Sequence, residues 1–139
     1  MKLKTISSDS FAPFGTVLRL DPEGENPVFQ IPVKVADAPW RIALLKILPH
    51  EIDRLERHPD SRESFEPVSG FTVLFTAPED KPEDITAFVL DCPVCLYEGI
   101  WHGVVSLTES SLCKLTENLE VGMEFHSLRS RLTVEAVCI

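Results

Sequence analysis

Short runs of β-branched and aromatic residues, each closed by Pro, Gly, Asp or Asn, recur along nearly the whole chain. This pattern predicts strands at 16–20, 28–35, 40–48, 52–58, 63–67, 71–76, 87–90, 96–100, 104–107, 112–116, 123–128 and 132–138. Helix is expected in two places only. Ser8-Asp9-Ser10 can cap one turn that Pro13 and Gly15 stop, and Pro82 to Ala87 reads as a further helical turn with Glu83 and Asp84 near its start. Residues 44–56 also carry an amphipathic pattern, but Pro49 in the middle argues against a helix there. Many short strands with so little helix predict an all-β sandwich or barrel. Phe71-Thr72-Val73-Leu74-Phe75 is apolar at nearly every position and so should be a central strand covered on both faces.

Period-two alternation then sorts the polar residues. In an extended 52–58 segment, Arg54, Glu56 and His58 project to one face and Leu55 and Arg57 to the other. Pro59-Asp60-Ser61 is a turn, after which Glu63 and Phe65 share a face on the returning strand. Glu56, His58 and Glu63 can therefore converge across one hairpin. His102 shares its face with Val104 and Ser106 and joins them if its strand lies alongside. Two imidazoles and two carboxylates suit Zn, Mn, Fe or Ni, and the same groups can move protons on a small acid. Lys46, Arg54, Arg57 and Arg62 are the cations that could hold an acidic substrate. Lys46 stands out because it shares a face with Ile42 and Leu44, and Tyr97 could line the mouth as a donor. Arg57, alternating away from His58, is expected in a scaffold ion pair with Asp60 or Glu66. Trp101 is assigned to packing or a dimer contact, His50 and His126 to ordinary hydrogen-bonded positions, and Glu117-Asn118-Leu119-Glu120 to a charged turn.

With 139 residues, 44% of them hydrophobic and 25% charged, the chain reads as one domain, 1–139, able to bury a core without staples. A net charge of −9 argues against nucleic acid and anionic lipid, because 13 Lys and Arg do not offset 22 Asp and Glu. A small anionic substrate remains compatible, since one local cation can dominate a pocket. Neither a membrane span nor an apolar leader is read after Met1-Lys2-Leu3-Lys4, so the expected compartment is the cytoplasm and the expected state of the four cysteines is thiol. Cys92-Pro93-Val94-Cys95 lacks the second pair that a structural zinc site needs and reads as two semi-buried turn cysteines. No organic cofactor is called for. Phe29, Trp40 and the C-terminal strand offer apolar edges, from which a homodimer is expected.

Glu56-x-His58-x4-Glu63-x6-Gly70 resembles the first cupin motif, with Glu56 where its first His would stand, and Gly99-x2-His102 resembles the end of the second, with Tyr97 in place of its Pro. Leu55-Glu56-Arg57-His58-Pro59, Phe65-Glu66-Pro67, Gly99-Ile100-Trp101-His102 and the opening Phe11-Ala12-Pro13-Phe14-Gly15 are similar to the ureidoglycolate lyase (ureidoglycolate hydrolase) branch. The resemblance implies a cupin-type barrel, that is, a double-stranded β-helix or jelly roll. It also implies a carbon–nitrogen lyase that splits ureidoglycolate into glyoxylate and urea late in purine breakdown, with Glu56, His58, Glu63 and His102 in the site. Related small hydroxy acids are further candidate substrates. A non-catalytic cupin binding a metal or small acid, or a metal-dependent cupin enzyme of other activity, is the alternative. Three features depart from the family pattern: Glu63 stands where members usually carry Gln, Gly103-Val104 replaces a His-Pro after the Trp-His pair, and the segment between Leu20 and Trp40 is short.

Overall fold

A computed structural model describes residues 1–133. Its elements are β1 (Leu3–Lys4), α1 (Ser8–Phe11), β2 (Gly15–Val17), β3 (Trp40–Ile47), β4 (Glu51–Arg57), β5 (Glu63–Ser69), β6 (Thr72–Ala77), β7 (Thr86–Val89), β8 (Val94–Leu96), β9 (Trp101–Ser106), β10 (Ser111–Asn118) and β11 (Glu124–Thr133). They form two sheets, ordered β1-β7-β6-β9-β4-β11 and β2-β8-β5-β10-β3. Within them, β4-β9-β6-β7 faces β3-β10-β5-β8, and the chain crosses between the two quartets at nearly every step. That order is the jelly roll, and the expected all-β cupin-type barrel is the fold of this chain.

The core lies in two layers. Between the sheets, Ile47, Phe65, Leu74, Phe88, Val94, Leu96, Cys113 and Leu115 pack together, and Ile6, Phe11 and Phe14 from the N-terminal segment close one side. A second layer covers the outer face of the six-stranded sheet, where Leu55, Val73, Phe75, Ala77, Trp101 and Val105 meet Leu3, Ile52, Ile85, Leu128 and Leu132. Strand β6 serves both layers and is buried from Thr72 to Ala77, which accounts for its lack of alternation. Gly70, at φ +71°, turns the chain from β5 into β6; a Cβ there would lie 2.5 Å from the Ser110 carbonyl oxygen.

Several elements differ from expectation, each for a local reason. The 28–35 segment is not a strand: Pro27 and Pro32 cannot donate to a ladder, and Asn26 Oδ1 accepts from the amides of Val28 and Phe29 to form a turn instead. Residues 82–85 make no helix; Asp84 N donates to Lys81 O in an isolated turn before β7. The strand expected at 96–100 ends at Leu96, because Gly99 at φ +79° turns the chain there. Strand β9 correspondingly begins earlier, at Trp101, and so includes His102. The helical turn near the start is capped by Ser7, whose hydroxyl accepts from Ser10 N while Ser10 Oγ accepts from Ser7 N. The last two expected strands are one, β11, whose pairing with β4 shifts between Ser127 and Leu132; residues 134–139 lie outside the described part.

Candidate functional site

His58 follows β4 directly, where Pro59 ends the ladder and Asp60 holds the turn by accepting from Gly122 N at 3.0 Å. Two loops fix the histidine: its Nδ1 lies 3.0 Å from Gly122 O, and its own carbonyl accepts from Gly99 N at 2.9 Å. Glu63 opens β5, opposite Leu96 on one side and Glu117 on the other. His102 is the second residue of β9, opposite Glu56 on β4 and Thr76 on β6. Its Nδ1 lies 2.9 Å from Ile100 O. A carbonyl can only accept, so both Nδ1 atoms carry hydrogen and the Nε2 atoms are left to face the interior.

Those Nε2 atoms converge on Glu63. His102 Nε2 stands 2.9 Å from Glu63 Oε1 and 3.7 Å from Glu56 Oε1, while His58 Nε2 stands 3.5 Å from Glu63 Oε2. The imidazole rings are 5.3 Å apart, and Phe65 packs edge-on against His102. His58, Glu63 and His102 are buried. Despite the 2.9 Å approach, neither His102 Nε2 nor Glu63 Oε1 has a hydrogen-bonding partner. Buried, unpaired polar atoms aimed at one another are what a site built to hold a proton or a cation leaves behind. The ligand atoms of Glu56, His58 and His102 lie within 4.8 Å of one another, as do those of His58, Glu63 and Glu117, so the donor set fits a divalent metal.

The electrostatics follow from burial set against pairing. Burial works against charge on His102, but the contacts and charges of Glu56 and Glu63 outweigh it and raise its pKa to about 10. The same contest, with Glu63 as the partner, raises His58. Burial alone would raise Glu63, yet His102 and His58 hold its carboxyl far below the usual range. Contact with His102 also lowers Glu56. Without a metal, the cluster therefore holds a carboxylate against an imidazolium.

A cavity of about 360 Å³ reaches Glu56 and His102 of the cluster and is lined as well by Glu51, Asp53, Arg54, Phe125 and Arg131. The Arg54 guanidinium stacks 4.2 Å from the Phe125 ring centroid. The structure thus brings Glu56, His58, Glu63 and His102 together, with Arg54 on the wall of the cavity that Glu56 and His102 line. Lys46 and Tyr97 do not line this cavity. Lys46 is exposed with Ile42 and Leu44, since the inward face of β3 is Ala43, Leu45 and Ile47. Tyr97 sits in the turn after β8, under the Arg62 guanidinium. Arg57 is a scaffold residue as expected, but its partners are Glu124 and Glu79, not Asp60 or Glu66, and it also stacks on Trp101. His50 contacts Ser106 O, and His126 contacts Glu83. Cys92 and Cys95 are buried free thiols, and burial pushes Cys95 up to about 11.

Glu117 departs most from the sequence reading. It is no surface turn residue: β10 runs on to Asn118, and its alternation Ser111, Cys113, Leu115, Glu117 points inward. Its carboxylate is buried, with Oε1 accepting from Arg41 Nη2 at 2.7 Å and Nε at 3.1 Å. Burial and the nearby Glu63 raise its pKa, and Arg41 opposes them. Both Arg41 and Glu117 could have been found by continuing the period-two count past Thr116 and pairing it against β3.

A family model described as Ureidoglycolate lyase matches residues 30–116, more than half of the chain. The chain belongs to the ureidoglycolate lyase family. Within it, the chain is similar to the ureidoglycolate lyase of Rhizobium etli, 29% identical over 123 residues that cover 73% of this chain and 74% of that one. It is also similar to the ureidoglycolate lyase of Agrobacterium fabrum, 24% identical over 122 residues with the same coverage. Among solved structures, it resembles Bacillus subtilis oxalate decarboxylase with TM-score 0.49 and 18% identity, over 66% of this chain and 24% of that one. It also resembles a dTDP sugar isomerase of Desulfovibrio desulfuricans G20, with TM-score 0.45 and 12% identity, over 87% of this chain and 82% of that one. The glycine that follows His102 has a local cause here. A Cβ on Gly103 would lie 2.5 Å from Ile52 Cδ1, so a larger residue would require Ile52 to move.

Proposed function

We propose that this protein is a carbon–nitrogen lyase that splits ureidoglycolate, or a closely related small hydroxy acid, at the Glu56/His58/Glu63/His102 cluster. The observation that carries the reading is the convergence of two imidazole Nε2 atoms on one buried carboxylate, beside a cavity that Glu56 and His102 line, in a chain of the ureidoglycolate lyase family. Ureidoglycolate carries a carboxylate, a hydroxyl and a ureido nitrogen on one carbon. The hydroxyl loses its proton, its oxygen forms the carbonyl of glyoxylate, and the C–N bond breaks with its electron pair on nitrogen. Protonation of that nitrogen completes urea. No oxidant is needed. Glu56, ionised and partly exposed on the cavity wall, is positioned to accept the hydroxyl proton and return it to the leaving nitrogen. Arg54, on the cavity wall, is the cation for the substrate carboxylate. His58, His102 and Glu63 would hold a divalent ion, which when bound would supply Lewis acidity toward the hydroxyl and carboxylate oxygens. A cytoplasmic setting in purine breakdown and a homodimer formed through exposed apolar residues such as Phe29 and Trp40 go with this proposal.

The test is glyoxylate release from ureidoglycolate by the purified protein, with and without Zn, Mn, Fe or Ni. Release well above the uncatalysed rate is expected. None above background under any of these conditions rules the lyase out.

Metal uptake should depend on pH with a defined sign. A metal requires neutral Nε2, whereas His102 in the metal-free protein is protonated up to about pH 10. Binding near neutrality therefore expels a proton. Affinity should rise with pH through the neutral range and level off near that value. Calorimetry in buffers of different ionisation heat should show proton release; affinity that is flat or falling with pH would contradict the assignment.

A further inference from the structure

Strand β10 places Glu117 directly across from Glu63 on β5 and directly across from Arg41 on β3, all on the inward face. Two carboxylates opposite each other on neighbouring strands repel, and burial removes the water that would screen them. Arg41 answers half of this arrangement. Both of its hydrogen bonds go to Glu117 Oε1, and Oε2 is buried with no hydrogen-bonding partner. The Glu117 side chain is 5% exposed. One of its carboxylate oxygens lies within 4.8 Å of the ligand atoms of both His58 and Glu63.

We propose that Glu117 is, together with His58 and Glu63, a ligand of the cation bound at this cluster, with Arg41 positioning its carboxylate by fixing Oε1 and leaving Oε2 for the ion; this rests on the reading of the cluster as a metal site. Charge counting agrees. With neutral imidazoles, Glu56, Glu63 and Glu117 carry three negative charges against one on Arg41, leaving two for a divalent cation to cancel. A ligand set in which Glu63 and Glu117 supply two carboxylates leans toward oxygen and suits a hard ion such as Mn²⁺. Arg41 itself is a positioning residue, acting through Glu117.

Titration of the purified protein with Mn²⁺ alone, followed by calorimetry and by the loss of the free-ion electron spin resonance signal, decides the matter. Glu117→Gln keeps the shape but removes the charge and one donor oxygen, and should weaken Mn²⁺ binding at least about tenfold. Glu117→Asp keeps the charge but withdraws the carboxylate by one methylene; it should weaken binding by a smaller factor and serves if the glutamine variant does not fold. Glu66→Gln, on the outward face of β5, should bind as the wild type does. Wild-type affinity in both Glu117 variants, with binding lost in His58→Ala, would leave the metal site standing and overturn the role of Glu117. No Mn²⁺ binding by the wild type would overturn both.

Discussion

Replacing His102 with alanine should lower glyoxylate release from ureidoglycolate by roughly 10²–10⁴-fold, mostly in kcat. The substitution removes the one imidazole whose Nε2 lies near both Glu63 and Glu56, at 2.9 and 3.7 Å. Glu63, buried against two histidines, keeps only His58 at 3.5 Å, and its carboxyl pKa should rise as burial gains weight. The fold should survive: β9 is held by backbone pairing to β6 along its whole length, and the His102 side chain faces the cavity. Unchanged far-ultraviolet circular dichroism together with the lost activity would localise the effect to the site. Activity within tenfold of wild type would mean that His102 is structural.

The largest effect on stability is expected from Phe88→Ala, at about 3–5 kcal/mol. Phe88 is fully buried at the point where the N-terminal segment closes the barrel, with edge-on contacts to Phe11 at 5.1 Å and Phe14 at 5.7 Å. The three rings come from different elements, so one cannot simply slide into the space another leaves. The loss is a large fraction of the roughly 5–15 kcal/mol that stabilises a typical domain. Urea denaturation should show a midpoint lower by roughly 1–3 M with a similar slope. A loss below about 1 kcal/mol would mean that the N-terminal segment collapses into the gap or contributes little.

Much of the site could be read from the sequence because alternation in β4 and β5 is local and the turn between them is short, although the two strands do not pair as the expected hairpin but lie in opposite sheets. Glu56, His58 and Glu63 meet because the turn at Pro59-Asp60 carries the chain from one sheet to the other, so that the inward faces of β4 and β5 oppose. His102 needed in addition that β9 lie beside β4, which no local pattern states and which the cupin resemblance implied. The barrel class followed from the density of strands and breakers. The errors have physical causes as well. Segment 40–47 carries apolar residues on both faces, so period two could not choose between Ile42/Leu44 and Ala43/Leu45/Ile47 as the inward set, and Lys46 was assigned to the wrong face. Glu117 reads as a turn residue in the sequence because a charge at a strand end is usually solvated; the partner across the sheet, Arg41, makes its burial tolerable. The partners of Arg57 come from Glu79 and Glu124, a separation in sequence that no local rule bridges.

The departure at Glu63 is best understood from the same geometry. Gln at this position could accept a hydrogen bond from an imidazolium but could neither balance its charge nor offer a charged ligand. Glu63 does one or the other depending on whether protons or a cation occupy the two Nε2 atoms. The short segment between Leu20 and Trp40 lies on the surface with Val28, Phe29 and Ile31 exposed.

The most direct test follows ureidoglycolate labelled with ¹³C at the hydroxylated carbon by nuclear magnetic resonance, in the presence of the protein and a divalent metal. Conversion to glyoxylate with urea in equal amount and no ammonia, lost in His102→Ala, is the result expected of a lyase at this cluster. Unchanged substrate, or release of ammonia in place of urea, would contradict it.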